Sequence, residues 1–164
     1  MRRGILLYPV FARRMQVPSA DDFRSETAYW VGPPWWAPVS GAGFDLHVSG
    51  WEGEPDPGSL TFAERVLPRV YRLRAEAARH IGQAVEVRGI PRLDPEIAQI
   101  VSVFCDGGSG TVVLELNWEV DLYNLWYVRF LDHPGMGLHP VEFGCRTWSG
   151  DLPRWRPPFR PVDG

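Results

Sequence analysis

His133, His139, Glu142 and Cys145 fall within one short stretch, and each is a residue type that binds zinc. A zinc centre needs three or four donors converging on one point. On an extended strand His139 and Cys145 point to one face and Glu142 to the other, so the set is not expected to converge. Gly135 and Gly137 read as a loop between two strands, with His133 and His139 flanking it. Cys145 and His139 also form the local candidate pair for thiolate–imidazole catalysis, which requires hydrogen-bond contact. Six residues along a strand span about 20 Å, too far for that contact. The reading is therefore no catalytic residue, no metal and no cofactor. Cys105 and Cys145 are expected to be free, buried thiols, since two cysteines make no disulfide framework.

Other chemistries are excluded by composition. The 17 basic residues are all arginine. Without lysine there is no Schiff base, no pyridoxal phosphate attachment and no phosphate-binding loop of the lysine type. No nucleophile elbow, dinucleotide glycine fingerprint or His-Glu-x-x-His occurs. Asp106-Gly107-Gly108-Ser109-Gly110 is glycine-rich, but it joins two strands and reads as a hairpin loop.

Two sets of residues suit recognition instead. Glu115, Glu119 and Asp121 cluster at the end of one strand and the connection after it, where carboxylates can form an acidic contact surface on a solvated sheet face. On that face Glu115 and Arg129 are candidate cross-strand partners. Among the eight tryptophans, Trp118 and Trp126 fall on apolar faces. Trp35 and Trp36, beside Gly32-Pro33-Pro34, and Trp155 in the tail are harder to bury, and tryptophan is enriched at interface hot spots. Arg65, Arg69, Arg72 and Arg79 lie along one helix side with Glu76 among them, which is the pattern of an ordinary solvated face.

The elements that must position these residues follow from periodicity. Phe62, Val66, Val70, Leu73, Ala77 and Ile81 make one helical stripe. Thr61 with Glu64 is a capping-box pair for its start, and Gly82 a stop. Pro68 predicts a kink, or a first helix ending near Leu67. Alternation of period two predicts strands at Trp35–Val39, Phe44–Trp51, Ala84–Ile90, Ala98–Cys105, 111–118, Leu125–Leu131 and His139–Arg146, with another at Tyr29–Val31. Strands in runs with one main helix give α+β. The predicted fold is one domain over 1–164: an antiparallel sheet of about five to seven strands, one dry and one wet face, and the helix on the dry face. Residues 1–20 read as a loosely ordered leader, and 153–164 as a Pro/Arg-rich tail.

The 164 residues suit a single core of ordinary size. A net charge of −3 argues against a nucleic-acid binder. No apolar run approaches the roughly 18 residues of a membrane helix. The start has arginines and a short apolar run, but Pro9 and Arg13-Arg14 interrupt it, so the expectation is a cytoplasmic protein.

The helix over Phe62–Ile81, the strands Thr111-Val112-Val113-Leu114-Glu115-Leu116 and Leu125-Trp126-Tyr127-Val128-Arg129-Phe130, and the closing Pro140-Val141-Glu142-Phe143-Gly144 resemble small bacterial α+β proteins. Some of those are immunity proteins that bind and block a toxin encoded beside them. The resemblance covers roughly residues 60–148 and carries over no functional residue. It implies a non-enzymatic domain that binds another protein. The alternatives are a small hydrolase or metal-dependent enzyme built on His133, His139, Glu142 and Cys145, and a structural subunit of a larger assembly.

Overall fold

Asp56-Pro57 sets where the helix begins. In the computed structural model, which describes residues 15–25, 35–51, 53–87, 97–118 and 124–147, the Asp56 carboxylate accepts from the Ser59 amide at 2.8 Å. Pro57 then occupies the first turn, where its missing N–H costs nothing. Helix α1 thus spans Pro57–Val66, starting ahead of the Thr61/Glu64 pair; Thr61 Oγ1 donates instead to the Pro57 carbonyl at 3.1 Å. The break at Pro68 is a 3-10 turn over Leu67–Arg69, because proline has no N–H for the preceding turn's carbonyl. Helix α2 continues from Val70 to Val87, past Gly82. The strand expected over Ala84–Ile90 is therefore helix as far as Val87, and its last three residues lie outside the described ones.

The strands are β1 (Arg24–Ser25), β2 (Trp35–Pro38), β3 (Asp45–Val48), β4 (Gly50–Trp51), β5 (Glu54–Pro55), β6 (Gln99–Asp106), β7 (Thr111–Asn117), β8 (Asn124–His133) and β9 (Gly137–Thr147). Seven of them form one sheet in the order β1-β2-β3-β6-β7-β8-β9, while β4 and β5 pair separately. All neighbours in the large sheet run antiparallel except β3 and β6. That parallel pair is possible because the helix lies between them in sequence, and a parallel return needs a long crossover. The result is a single-domain α+β fold with a mostly antiparallel sheet.

The core lies between the helices and one sheet face. Val66, Val70, Leu73, Ala77 and Ile81 meet Leu46, Val103, Leu114, Leu116, Trp118, Trp126, Val128 and Phe130 in one buried cluster. Each fully buried aliphatic side chain there contributes about 1.5–3 kcal/mol. Cys105 is buried in this core.

A polar knot ties the start of α1 to the β6–β7 turn. Ser59, fully buried, donates from Oγ to Asp56 at 2.8 Å and accepts from the Gly107 amide at 2.8 Å. Its Oγ also lies 2.6 Å from Ser49 Oγ, which reaches Asp106 at 2.9 Å. Two hydroxyl hydrogens serve three oxygen–oxygen contacts, so one hydrogen is shared between alternatives. Gly107 permits the approach: a Cβ there would meet the Gly58 carbonyl oxygen at 2.6 Å. Among the described residues no helix is long and apolar enough to cross a membrane.

Candidate functional site

The sheet face turned away from the helices carries the polar side chains. Residues directly opposite on neighbouring strands share a face, so the register reads it out. One row runs Arg24, Trp36, His47, Phe104, Val113, Arg129, Glu142 from edge to edge. The next runs Pro38, Asp45, Ser102, Glu115, Tyr127, Gly144. The absence of a side chain at Gly144 lets the Tyr127 ring lie across β9, where a Cβ would meet it.

This face is not the uniformly wet surface that alternation predicts. Glu115 is 4 % exposed and Ser102 5 %, with the Ser102 hydroxyl donating to Glu115 Oε2 at 2.6 Å. An acidic contact surface built on Glu115 is therefore corrected: its carboxylate is an internal acceptor, because its strand is central and its neighbours close over it. Glu119, Asp121 and Trp155 lie outside the described residues. Arg129 stands opposite Val113, and its guanidinium meets the Glu142 carboxylate at 3.0 Å. Partial burial raises the Asp45 carboxyl above its ordinary value. Burial also pushes the His47 imidazole down to about 4, so the ring is neutral at physiological pH.

Trp35 and Trp36, adjacent in sequence, separate to opposite faces. Trp35 turns inward, packs against the core and donates from Nε1 to the Trp51 carbonyl at 3.1 Å. Trp35 is half-buried in this position, like Trp36. Trp36 faces the other way, into a cleft of about 750 Å³ at the β1–β2 edge, shared with Gln16, Ser19, Asp22, Arg24 and Pro38. The cleft joins an aromatic wall to a guanidinium, a carboxylate and hydroxyl and amide groups. Sequence reasoning picked out Trp36 but missed Arg24 and the Gln16–Ser19 segment, which no local pattern links to it.

The strand β9 rearranges the reactive set. Phe130 pairs with Pro140 and Arg129 with Glu142, which leaves Val141 as a bulge. The extra residue reverses the alternation, so His139 shares a face with Glu142 while Cys145 moves to the other face. This corrects the expected grouping of His139 with Cys145. Cys145 is exposed rather than buried. The His133 and His139 rings lie 6.1 Å apart, each Nδ1 against a backbone carbonyl of its own turn. Among the described residues no three metal-ligating side chains gather at one point. The Cys105 thiol is pushed well above its ordinary value by burial and by the neighbouring Asp106 charge, which makes it a poor nucleophile.

Comparison with known proteins finds no matching family, no matching characterised protein and no matching solved structure.

Proposed function

We propose that this is a non-enzymatic cytoplasmic domain that binds another protein, in the manner of an immunity-like inhibitor, through the Trp36 cleft. The observation that carries the reading is the cleft itself: Trp36 and Arg24 side by side in a concavity of about 750 Å³ with a polar margin. Tryptophan and arginine are the side chains that most often dominate binding energy when seated in such a depression. A polar margin around them is the usual anatomy of an interface. The reactive groups argue in the same direction. Cys145 and His139 occupy opposite faces, and the Glu142 carboxylate that shares a face with His139 is engaged by Arg129.

The test is affinity capture from the native host with immobilised wild type, Trp36→Ala and Arg24→Ala. A specific protein retained by the wild type and lost at least about tenfold by both variants supports the reading, equivalent to about 1.4 kcal/mol or more. Equal retention by all three proteins, with unchanged thermal midpoints, dismisses the cleft as the contact.

A further inference from the structure

A second concavity lies on the helix side of the sheet, at the opposite end of the strand order from Trp36. Four strand spacings separate β2 from β8, about 19 Å. The cleft has a volume of about 270 Å³, between the Leu67–Arg69 turn and the β8–β9 hairpin. Phe62, Val66, Pro68 and Leu138 give it apolar walls, and Arg65, Arg69 and Asp132 complete its lining.

The arginines differ in how they are held. Arg72 is engaged by Glu76 at 3.2 Å, Arg74 donates to the Ala98 carbonyl and Arg79 to that of Ala75. Arg65 lies over the Phe62 ring at 5.2 Å and reaches Asp132 only at 3.9 Å, beyond hydrogen-bond distance. Arg69 makes no ion pair among the described residues. Two guanidiniums thus face one carboxylate, leaving positive charge beside an apolar hollow.

We propose that this cleft is a docking site for an acidic segment of a partner protein. One aliphatic or aromatic side chain of the segment fills the hollow, while a neighbouring carboxylate lies across Arg65 and Arg69. The volume falls below the roughly 300–1,000 Å³ of small-molecule pockets, and so suits a single side chain better than a whole ligand. Guanidiniums receive carboxylates through paired N–H donors, which gives orientation as well as attraction. The contact with Asp132 is solvent-exposed and weak, so an incoming carboxylate can replace it. Met136, 66 % exposed at the hairpin tip beside Leu138, offers an adaptable apolar extension. This site is separate from the Trp36 cleft and stands or falls independently of it.

The test is an amide-shift NMR titration with the blocked peptide acetyl-Asp-Leu-Phe-Glu-amide and its neutral Asn/Gln counterpart. The expected result is perturbation centred on Arg65, Arg69 and Leu138, with affinity at least about tenfold weaker for the neutral peptide. Arg65→Gln with Arg69→Gln should lose binding to the same extent, whereas Trp36→Ala should not. Both arginines are on the surface, so the double variant should keep its amide spectrum and thermal midpoint. No perturbation at these three residues, a pattern centred on Trp36, or equal affinity of the two peptides overturns the proposal.

Discussion

Replacing Ser59 by alanine should cost about 3 kcal/mol of stability, far more than an ordinary serine. The hydroxyl accepts from the Gly107 amide and donates to Asp56, both at 2.8 Å, and is fully buried. Alanine would leave the Gly107 N–H without its acceptor, a cost of about 1–3 kcal/mol. The lost bond to the Asp56 carboxylate is charge-assisted, worth about 1.5–3 kcal/mol, although Asp56 keeps the Ser59 amide and so loses only part of this. The control is Ser109→Ala, an exposed hydroxyl that touches Asp106 and Thr111 and should cost about 0.5–1 kcal/mol. Urea unfolding followed by tryptophan fluorescence gives the comparison. With a slope of about 2 kcal/mol per molar, the Ser59→Ala midpoint should fall by about 1.5 M. Ser49→Ala combined with Ser59→Ala should cost less than the two single losses added, because they share one hydrogen-bond chain. Strict additivity, or a Ser59→Ala loss no larger than that of Ser109→Ala, would refute the knot as a coupled unit.

Two further outcomes follow from burial. His47 is lowered from 6.5 to about 4, so the unfolded chain binds the extra proton first; stability is full above pH 6.5 and falls by about 3 kcal/mol as pH drops towards 4. His47→Gln should flatten that window in a denaturant series, whereas Asp45, whose pKa is raised, contributes the opposite slope and remains in both curves. Under native conditions one equivalent of a thiol reagent should label Cys145 within minutes and leave Cys105 intact until unfolding; peptide mapping that finds Cys105 labelled first would contradict the core placement.

How much of this was legible in the residues depends on the range of the forces involved. The alternation in β7 and β8, the turn at Gly107–Gly110 and the break at Pro68 arise between near neighbours, and sequence reasoning located all three. Asp56-Pro57-Gly58 suits a turn as well as a helix start, since aspartate before proline is found in both. The outcome was decided by Ser59, whose amide and hydroxyl both satisfy the Asp56 carboxylate. The parallel pairing of β3 with β6 was out of reach, since it joins Asp45 to Ser102 across the whole helix. Alternation placed Glu115 on the correct side of its strand, but it could not show that Ser102 and the adjoining strands enclose that side.

The candidate site shows the same division more sharply. Faces are assigned by counting in twos, and a single unpaired residue inverts every assignment beyond it. Val141 is that residue, set between Pro140 and Glu142, and proline has no N–H to give to a ladder. A proline inside a strand is thus a warning that the count will slip, and it was present in the sequence all along. With the slip included, Glu142 comes over Arg129 and forms the ion pair on the polar face, while Phe143 turns to the helix side and meets His80 edge to face at 5.6 Å. Both contacts need the bulge. With Val141 paired in the ladder and no bulge, plain alternation would turn the carboxylate of Glu142 towards the apolar helix packing. It would carry the Phe143 ring out to the polar face. The bulge therefore does more than bend an edge strand: it allows one short segment to serve the core with Phe143 and Leu138 and the polar face with His139 and Glu142.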